Sequence, residues 1–347
     1  MATIKDVAAL AGISYTTVSH VVNNTRPVSD AVRAKVEAAI AELAYVPSGV
    51  ARSLKARATA TIGLVLPNNI NPYFAELARG IEDACERNGY CVILCNSDDD
   101  PRKQRSYLRV LQEKRVDGLL LAAVDSGVAC DDWSGLTTPM VVVDREMPGV
   151  DADLVCIDHA EGAYLATRHL LQLGHRRIAC VNGPAGTTVA RLRQAGFDRA
   201  MEEAGVAVPA HWRLAGDFSA DGGYRAGVAL FGERPPSAVF AANDMLGMGL
   251  LRAAAERKLA VPRELSVIGF DDIQMCRYVY PALTTVGQSI LALGELAAEC
   301  LLARIQKRES SAPRRHVVAP TIVPRESTAP PQARMAAQVC NQEEANI

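Results

Sequence analysis

Eight short apolar runs dominate the chain from residue 61 onward, and they leave few folds open. They are IGLVLP (62–67), VILCN (92–96), GLLLAAV (118–124), MVVVD (140–144), LVCID (154–158), RIACVNG (177–183), AVFAAND (238–244) and LSVIGFDD (265–272). Continuous runs of this length read as strands buried on both faces, and the amphipathic stretches between them read as crossover helices. The body is therefore expected to be α/β with parallel sheets. About 265 residues is long for one open sheet, so two similar lobes are expected.

The first 46 residues have a different texture. In TIKDVAALAGISYTTVSHVVNN, Val7, Ala8 and Ala11 recur at helical spacing, and so do Val18, Val21 and Val22. Thr3 and Asp6 form an acidic variant of the capping box. Gly12 supplies a turn, and Ser14 can cap the second helix. Tyr15, Thr16, Ser19, His20 and Asn23 then share one polar face opposite the valines. Short donors and acceptors on such a face suit base edges in a major groove. A third helix, with Ser29 as its expected cap, carries Val32, Val36, Ala39, Ile40 and Leu43 and ends before Pro47. Residues 48–60 are polar and weakly helical, a hinge that needs a partner to fold.

Charge supports this division. The net charge is −2, which alone argues against a nucleic-acid binder, but residues 1–60 carry +3 and the remainder −5. A basic head on an acidic body fits phosphate binding at one end only. The nine cysteines are scattered, odd in number and without a CxxC pair, so they read as reduced packing residues. No apolar run reaches membrane-spanning length and MATIKD is no signal segment, so a cytoplasmic protein without a membrane partner is expected.

Ligands of open α/β sheets sit beyond the carboxyl ends of strands. That rule selects Asn71, Tyr73 and Phe74; Asp144 and Arg145; Arg193; Phe218; Asn243; Asp271; and Gln288. Carboxylates and guanidiniums can hold adjacent hydroxyls, the amides one hydroxyl each, and the aromatic rings cover a sugar face. The balance of charge suits a small neutral sugar better than a sugar phosphate. A strand-end Asp or Asn taken singly is often a turn former. Asp98-Asp99-Asp100 reads as a solvated turn, and His169 and His175 as surface or capping histidines. No metal-ligand spacing, phosphate loop or nucleophile elbow is present, so no catalytic residue, metal or cofactor is expected.

TIKDVA, AGIS and TVSHVVN closely resemble the opening signature of the lactose/galactose repressor (LacI/GalR) family, and the resemblance runs to about Ser327, nearest its ribose and purine branches. It implies a helix-turn-helix DNA-binding domain (1–46), a hinge helix (47–60) and a two-lobed, periplasmic-binding-protein-like (type I) ligand-binding and dimerisation domain (61–327). Lobe 1 would hold about 61–160 and 291–320, and lobe 2 about 161–290 and 321–327. Residues 328–347, rich in Pro, Ala and Gln, read as a disordered tail. No leucine heptad of the lactose-repressor tetramer type is found there, which favours a homodimer.

The resemblance also implies roles. Tyr15, Thr16 and His20 would contact bases, while Thr3, Thr17, Ser19, Asn23, Arg26 and Lys55 would set register on the DNA backbone. Leu54 would wedge between central base pairs in the minor groove. Asn71, Phe74, Asp144, Arg145, Arg193, Phe218, Asn243, Asp271 and Gln288 match the residue types that bind ribose in related periplasmic proteins. Tyr73 departs, since phenylalanine is usual there. A Tyr-Phe pair also occurs in purine repressors, but those carry tryptophan where this chain has Arg145. The function implied is a transcriptional repressor whose operator affinity a pentose, foremost ribose, controls. A purine-corepressed regulator is the alternative within the family, and a sugar-processing enzyme using Asp144 and Asp271 is the alternative of another class.

Overall fold

The computed structural model describes residues 2–23, 25–46, 58–122, 137–147, 149–287, 289–307 and 312–332. Contacts divide the chain into two units, Met1–Thr59 and Ala60–Ile347.

In the first unit three helices close on one small core: α1 (Ile4–Ala11), α2 (Tyr15–Asn23) and α3 (Asp30–Glu42). Val7, Val18, Val21, Val36 and Ala39 are its buried residues. The reciprocal cap forms at the start of α1. Thr3 N–H donates to the Asp6 carboxylate at 2.7 Å, and Asp6 N–H donates to Thr3 Oγ1 at 3.4 Å. Gly12 takes φ +65°, where a side chain would be strained, and its N–H closes α1. Ser14 Oγ accepts from Thr17 N–H at 3.2 Å and caps α2. Ser29 differs from expectation: it holds the N-cap backbone position of α3, but its hydroxyl makes no cap bond.

The second unit opens with β1 (Thr61–Leu66), α4 (Pro72–Arg87), β2 (Cys91–Asn96), α5 (Pro101–Glu113), β3 (Gly118–Ala122), β4 (Met140–Val143) and β5 (Asp153–Ile157). Together with β11 (Arg315–Val318) these strands form a six-stranded parallel sheet in the order β11-β5-β4-β3-β1-β2. Helix α4 packs against α10 (Ile290–Ile305) on one face through Leu77, Ile81, Leu293, Ala297 and Leu301. On the other face α5 brings Leu108 and Leu111 onto Val65, Leu119 and Leu121. The apolar run of β2 was expected to be buried on both faces. It is an edge strand instead, with Ile93 39% and Leu94 47% exposed.

The second lobe holds α6 (His159–Gln172), β6 (Ile178–Asn182), α7 (Thr188–Glu203), β7 (Arg213–Ala215), α8 (Ala220–Leu230), β8 (Ala238–Ala241), α9 (Asp244–Glu256) and β9 (Ser266–Ile268). Its parallel sheet runs β7-β6-β8-β9, with α6 and α7 paired and α8 and α9 paired. The chain crosses between lobes after β5, after β10 (Thr285–Gly287) and between β11 and β12 (Thr321–Val323). Strands β10 and β12 pair antiparallel at these crossings.

The segment just after Ser327 is held, contrary to the expected tail. Thr328 Oγ1 meets His169 Nε2 at 3.0 Å, and the Ala329 carbonyl accepts from His175 Nε2 at 2.9 Å. His175 is no surface histidine: it is 1% exposed and also meets Ser237 and Ser266 hydroxyls. Burial pulls its basicity down. Of the described cysteines, Cys91 is exposed, Cys300 is half-buried and the rest are buried. No helix among the described residues is long and apolar enough to cross a membrane.

Candidate functional site: a sugar-sized cleft and a helix-turn-helix face

Nine of the ten ligand candidates line one cleft of about 290 Å³; Gln288 lies outside the described residues. The convergence follows from parallel topology. Strands end, and the next helices begin, at the same edge of each sheet, so strand-end side chains and helix N-caps face one gap.

Asn71 and Asn243 show how local structure and site coincide. Asn71 Oδ1 caps α4 by accepting from Tyr73 N–H at 3.1 Å, with Pro72 at the first helical position. Asn243 Oδ1 caps α9 through Leu246 N–H at 2.9 Å, and its amide donates to the Phe218 carbonyl at 3.0 Å. These two cap their helices and line the cleft at once, and each amide has part of its bonding capacity committed. Phe218 sits at φ +60° against Gly183, where an added Cβ would fall 2.0 Å from the ring.

Asp144 ends β4 at φ +67° and is 6% exposed. Its Oδ1 accepts from the Tyr73 hydroxyl at 2.9 Å and lies 3.4 Å from His159 Nε2. Arg145, 7% exposed, donates to Asp99 Oδ1 at 3.1 Å and lies 5.7 Å from the Phe74 ring centre. In the second lobe Arg193, 4% exposed, donates to Asp271 Oδ1 at 2.9 Å and to the Ala242 carbonyl. Its guanidinium stacks 3.7 Å from the Phe270 ring centre, a strong cation–π placement. Arg193 Nε is buried with no hydrogen-bond partner among the described residues.

The two carboxylates are not equivalent. Burial opposes ionisation of Asp144, but the His159 hydrogen bond and the charges of Arg145 and Arg193 hold it well below the usual range. Asp271 moves the other way. Burial pushes it up, Arg193 offsets part of this, and Asp244 and Asp144 push it further. Asp244, fully buried with Thr285 and the Ile273 N–H as partners and no ion-paired cation among the described residues, is pushed up by burial too. The difference between the two cleft carboxylates therefore arises at Asp271. A neighbouring buried carboxylate, invisible in the local motif, raises it.

Three groups were missed in the sequence. His159, 3% exposed, bridges the lobes: its Nδ1 lies 3.3 Å from Arg193 NH2, and its Nε2 lies 3.1 Å from the Asp144 carbonyl. It directly follows LVCID, so the strand-end rule could have selected it. Asp99, expected in a solvated turn, lines the cleft and pairs with Arg145. Phe270 precedes Asp271 in a strand run that read only as core. Outside the cleft, Glu76 of α4 joins the lobes directly by accepting from Gln274 N–H at 2.8 Å. Among the described residues no cluster of His, Cys, Asp and Glu is placed to hold a metal ion.

On the first unit, Thr3, Tyr15, Thr16 and Arg26 are exposed, and Thr17, Ser19, His20 and Asn23 are half-buried. His20 Nδ1 meets Thr25 Oγ1 at 2.8 Å, which fixes the ring and leaves Nε2 outward-bonding. Asn23 donates to the Ser19 carbonyl at 2.8 Å and so turns part of its amide back to its own helix. Leu54 and Lys55 lie outside the described residues.

Residues 3–48 match the family model of bacterial regulatory proteins, lacI family, and residues 167–328 match a periplasmic binding protein-like domain. The chain is 44% identical over 308 residues to the ribose operon repressor of Escherichia coli (strain K12), covering 88% of this chain and 93% of that protein. It is 43% identical over 312 residues to the HTH-type transcriptional repressor PurR of Haemophilus influenzae (strain PittEE), covering 89% and 93%. Among solved structures, the lac repressor dimer bound to operator and the anti-inducer ONPF superposes with TM-score 0.83 at 29% identity, covering 94% of this chain and 99% of that one. A LacI family regulator from Enterococcus faecium with bound ribose gives TM-score 0.70 at 35% identity, covering 78% and 99%.

Proposed function

The chain belongs to the lacI family of bacterial regulatory proteins and is a DNA-binding transcriptional repressor, and from that premise we propose that a neutral pentose in the cleft, D-ribose foremost, controls its hold on operator DNA. One observation carries the effector reading: nine selected side chains, including the buried Arg193–Asp271 pair, converge on a cavity of about 290 Å³. That volume suits one monosaccharide, and its lining carries no surplus of cations for a phosphate. The ribose bound by the Enterococcus faecium relative supports the same class. A purine corepressor is the second reading, supported by the PurR likeness and by the Tyr73–Phe74 pair.

We read the working form as a homodimer. The β2 edge exposes Ile93 and Leu94, and the turn after β9 exposes Met275, Tyr278 and Tyr280. Open edges and apolar patches of this kind are normally covered. Two copies would present two α2 faces to a near-palindrome. Tyr15, Thr16 and His20 read bases; Thr3, Thr17, Ser19, Asn23, Arg26 and Lys55 set register; Leu54 opens the central step. Sugar draws the lobes together across Asp144–His159–Arg193, and the movement reaches the linker through Thr61. A coupling of about 1–3 kcal/mol is enough for a switch. No cofactor takes part, and the protein works in the cytoplasm.

A labelled operator fragment titrated with and without D-ribose tests this. Affinity should fall roughly a hundredfold between about 50 and about 200 mM salt, and should fall again when ribose is added. Asp144 held low and Asp271 pushed up would also suit a base and an acid in an enzyme. Sugar recovered chemically intact after prolonged incubation rejects that reading; turnover without a DNA shift rejects ours.

A further inference from the structure

We propose that Tyr73 sets effector choice by occupying, with its own hydroxyl, a position on Asp144 that a more fully hydroxylated sugar would otherwise fill. The inference rests on the pentose reading and narrows it to pentoses that need present only one hydroxyl to Asp144.

An ionised carboxylate only accepts, with about two lone pairs on each oxygen. One on Asp144 Oδ1 is spoken for by the Tyr73 O–H, which donates at 2.9 Å; His159 Nε2, 3.4 Å from Oδ1, is hydrogen-bonded to the Asp144 carbonyl at 3.1 Å. Neither Tyr73 nor Asp144 is free to leave. Tyr73 is 6% exposed, sits in the first turn of α4 under the Asn71 cap, and meets Phe74 edge-on at 5.1 Å. Asp144 is fixed by its own N–H on the Val155 carbonyl at 2.8 Å. Only Oδ2 has no partner among the described residues. A vicinal diol at Asp144 therefore finds Oδ2 open but must share Oδ1 with the Tyr73 hydroxyl, as it would not with phenylalanine at position 73. The hydroxyl neighbouring the one bound to Oδ2 adds little, and its removal costs little.

Calorimetry on the full chain with D-ribose and its 2-deoxy, 3-deoxy and 5-deoxy analogues tests this. A site that holds a hydroxyl rejects the analogue lacking it strongly, whereas an unread hydroxyl is nearly neutral. For the wild type, one analogue should bind within about threefold of ribose. For Tyr73→Phe, that same analogue should fall at least about tenfold behind ribose, because Oδ1 then seeks a sugar hydroxyl. The ratio is the readout, since a merely structural loss would weaken all four sugars alike. Ribose binding with discrimination above about tenfold against all three analogues in the wild type overturns the inference alone, even if Tyr73→Phe fails to fold. So do ratios unchanged by Tyr73→Phe. Failure of all four sugars to bind overturns the pentose reading and this inference with it.

Discussion

His159→Ala removes the group that ties the two lobes' binding residues together. Arginine can only donate, so the contact of Arg193 NH2 with His159 Nδ1 at 3.3 Å requires that nitrogen to be unprotonated. The ring proton then sits on Nε2, directed at Asp144, whose carbonyl is 3.1 Å away and whose Oδ1 is 3.4 Å away. These contacts thus fix the orientation of the ring between Arg193 and Asp144. Losing a charge-assisted bond and a neutral one, both buried, should cost about 2 kcal/mol of stability, since the released groups can partly re-pair. The effect on sugar comes from lost preorganisation. The freed Arg193 N–H turns to a carboxylate that the sugar needs, and Asp144 loses a donor that orients it. Ribose affinity should fall about tenfold to thirtyfold, equivalent to about 1.4–2 kcal/mol. His159→Gln, which offers an acceptor and a donor, should recover to within about threefold of wild type. Calorimetry gives the affinities and urea unfolding gives the stability. Wild-type affinity in a folded His159→Ala protein, or a Gln variant as weak as the Ala variant, would refute the bridging role.

Sugar hydroxyls donating to Asp271 should favour its ionised form, so the complex sheds a proton that the free protein holds. Affinity should then rise with pH through the neutral range, by at most about tenfold per unit. The folding sign is opposite: with Asp271 and Asp244 pushed up by burial, the folded chain holds protons the unfolded chain has lost, and sugar-free stability falls as pH rises there. Calorimetry in two buffers of different ionisation heat checks the release, and proton uptake would contradict it. Arg145→Ala should weaken ribose by about a hundredfold or more, whereas Asp99→Ala, which removes only its half-exposed partner, should cost less than about tenfold. Equal losses in the two titrations would show that Asp99, not Arg145, carries the contact. A chain ended at Ser327 loses the Ala329 bonds to His175 and Ser266 and the Thr328 contact with His169, and should be about 2–3 kcal/mol less stable. Urea unfolding within about 0.5 kcal/mol of the full chain would show the clamp to be idle.

The strands were legible where burial on both faces wrote a continuous apolar run. All eight runs form strands, and their ends deliver the cleft. What escaped has physical causes. β7 and β10 are three-residue strands, too short to show a period, and β11 (RHVV) carries charge because it is a partly exposed edge. β2 looked central because composition reports apolarity and not neighbours. Asp99 does lie in a solvated turn, but its pairing escaped because its cation, Arg145, is 46 residues away in sequence. His169 and His175 looked peripheral because Thr328 and Ala329, which bury and bond them, come from a segment whose composition suggested no order.

The site teaches a narrower lesson about what strand-end residues specify. Their identity told which side chains meet, but not which bonds they have left to give. Asn71 and Asn243 commit an oxygen to capping, Asp144 commits Oδ1 to Tyr73, and Asp271 commits Oδ1 to Arg193. Each carboxylate thus enters the cleft with one oxygen that has no partner among the described residues, and the two differ because burial, Asp244 and Asp144 push Asp271 up while His159, Arg145 and Arg193 hold Asp144 low. A ligand must therefore satisfy a site that is chemically asymmetric: a carboxylate held low on the first lobe, and on the second a carboxyl pushed up by burial and by Asp244. Closing the lobes on a neutral polyol meets both demands, since hydroxyls donate to each. An anionic ligand would meet the fixed negative charge of Asp144 and raise Asp271 further. On the neutral-sugar reading, the same asymmetry predicts that sugar phosphates bind the cleft more weakly as pH rises, opposite to ribose. A competition titration of ribose 5-phosphate against ribose at two pH values decides it, and parallel pH trends for the two ligands would refute it.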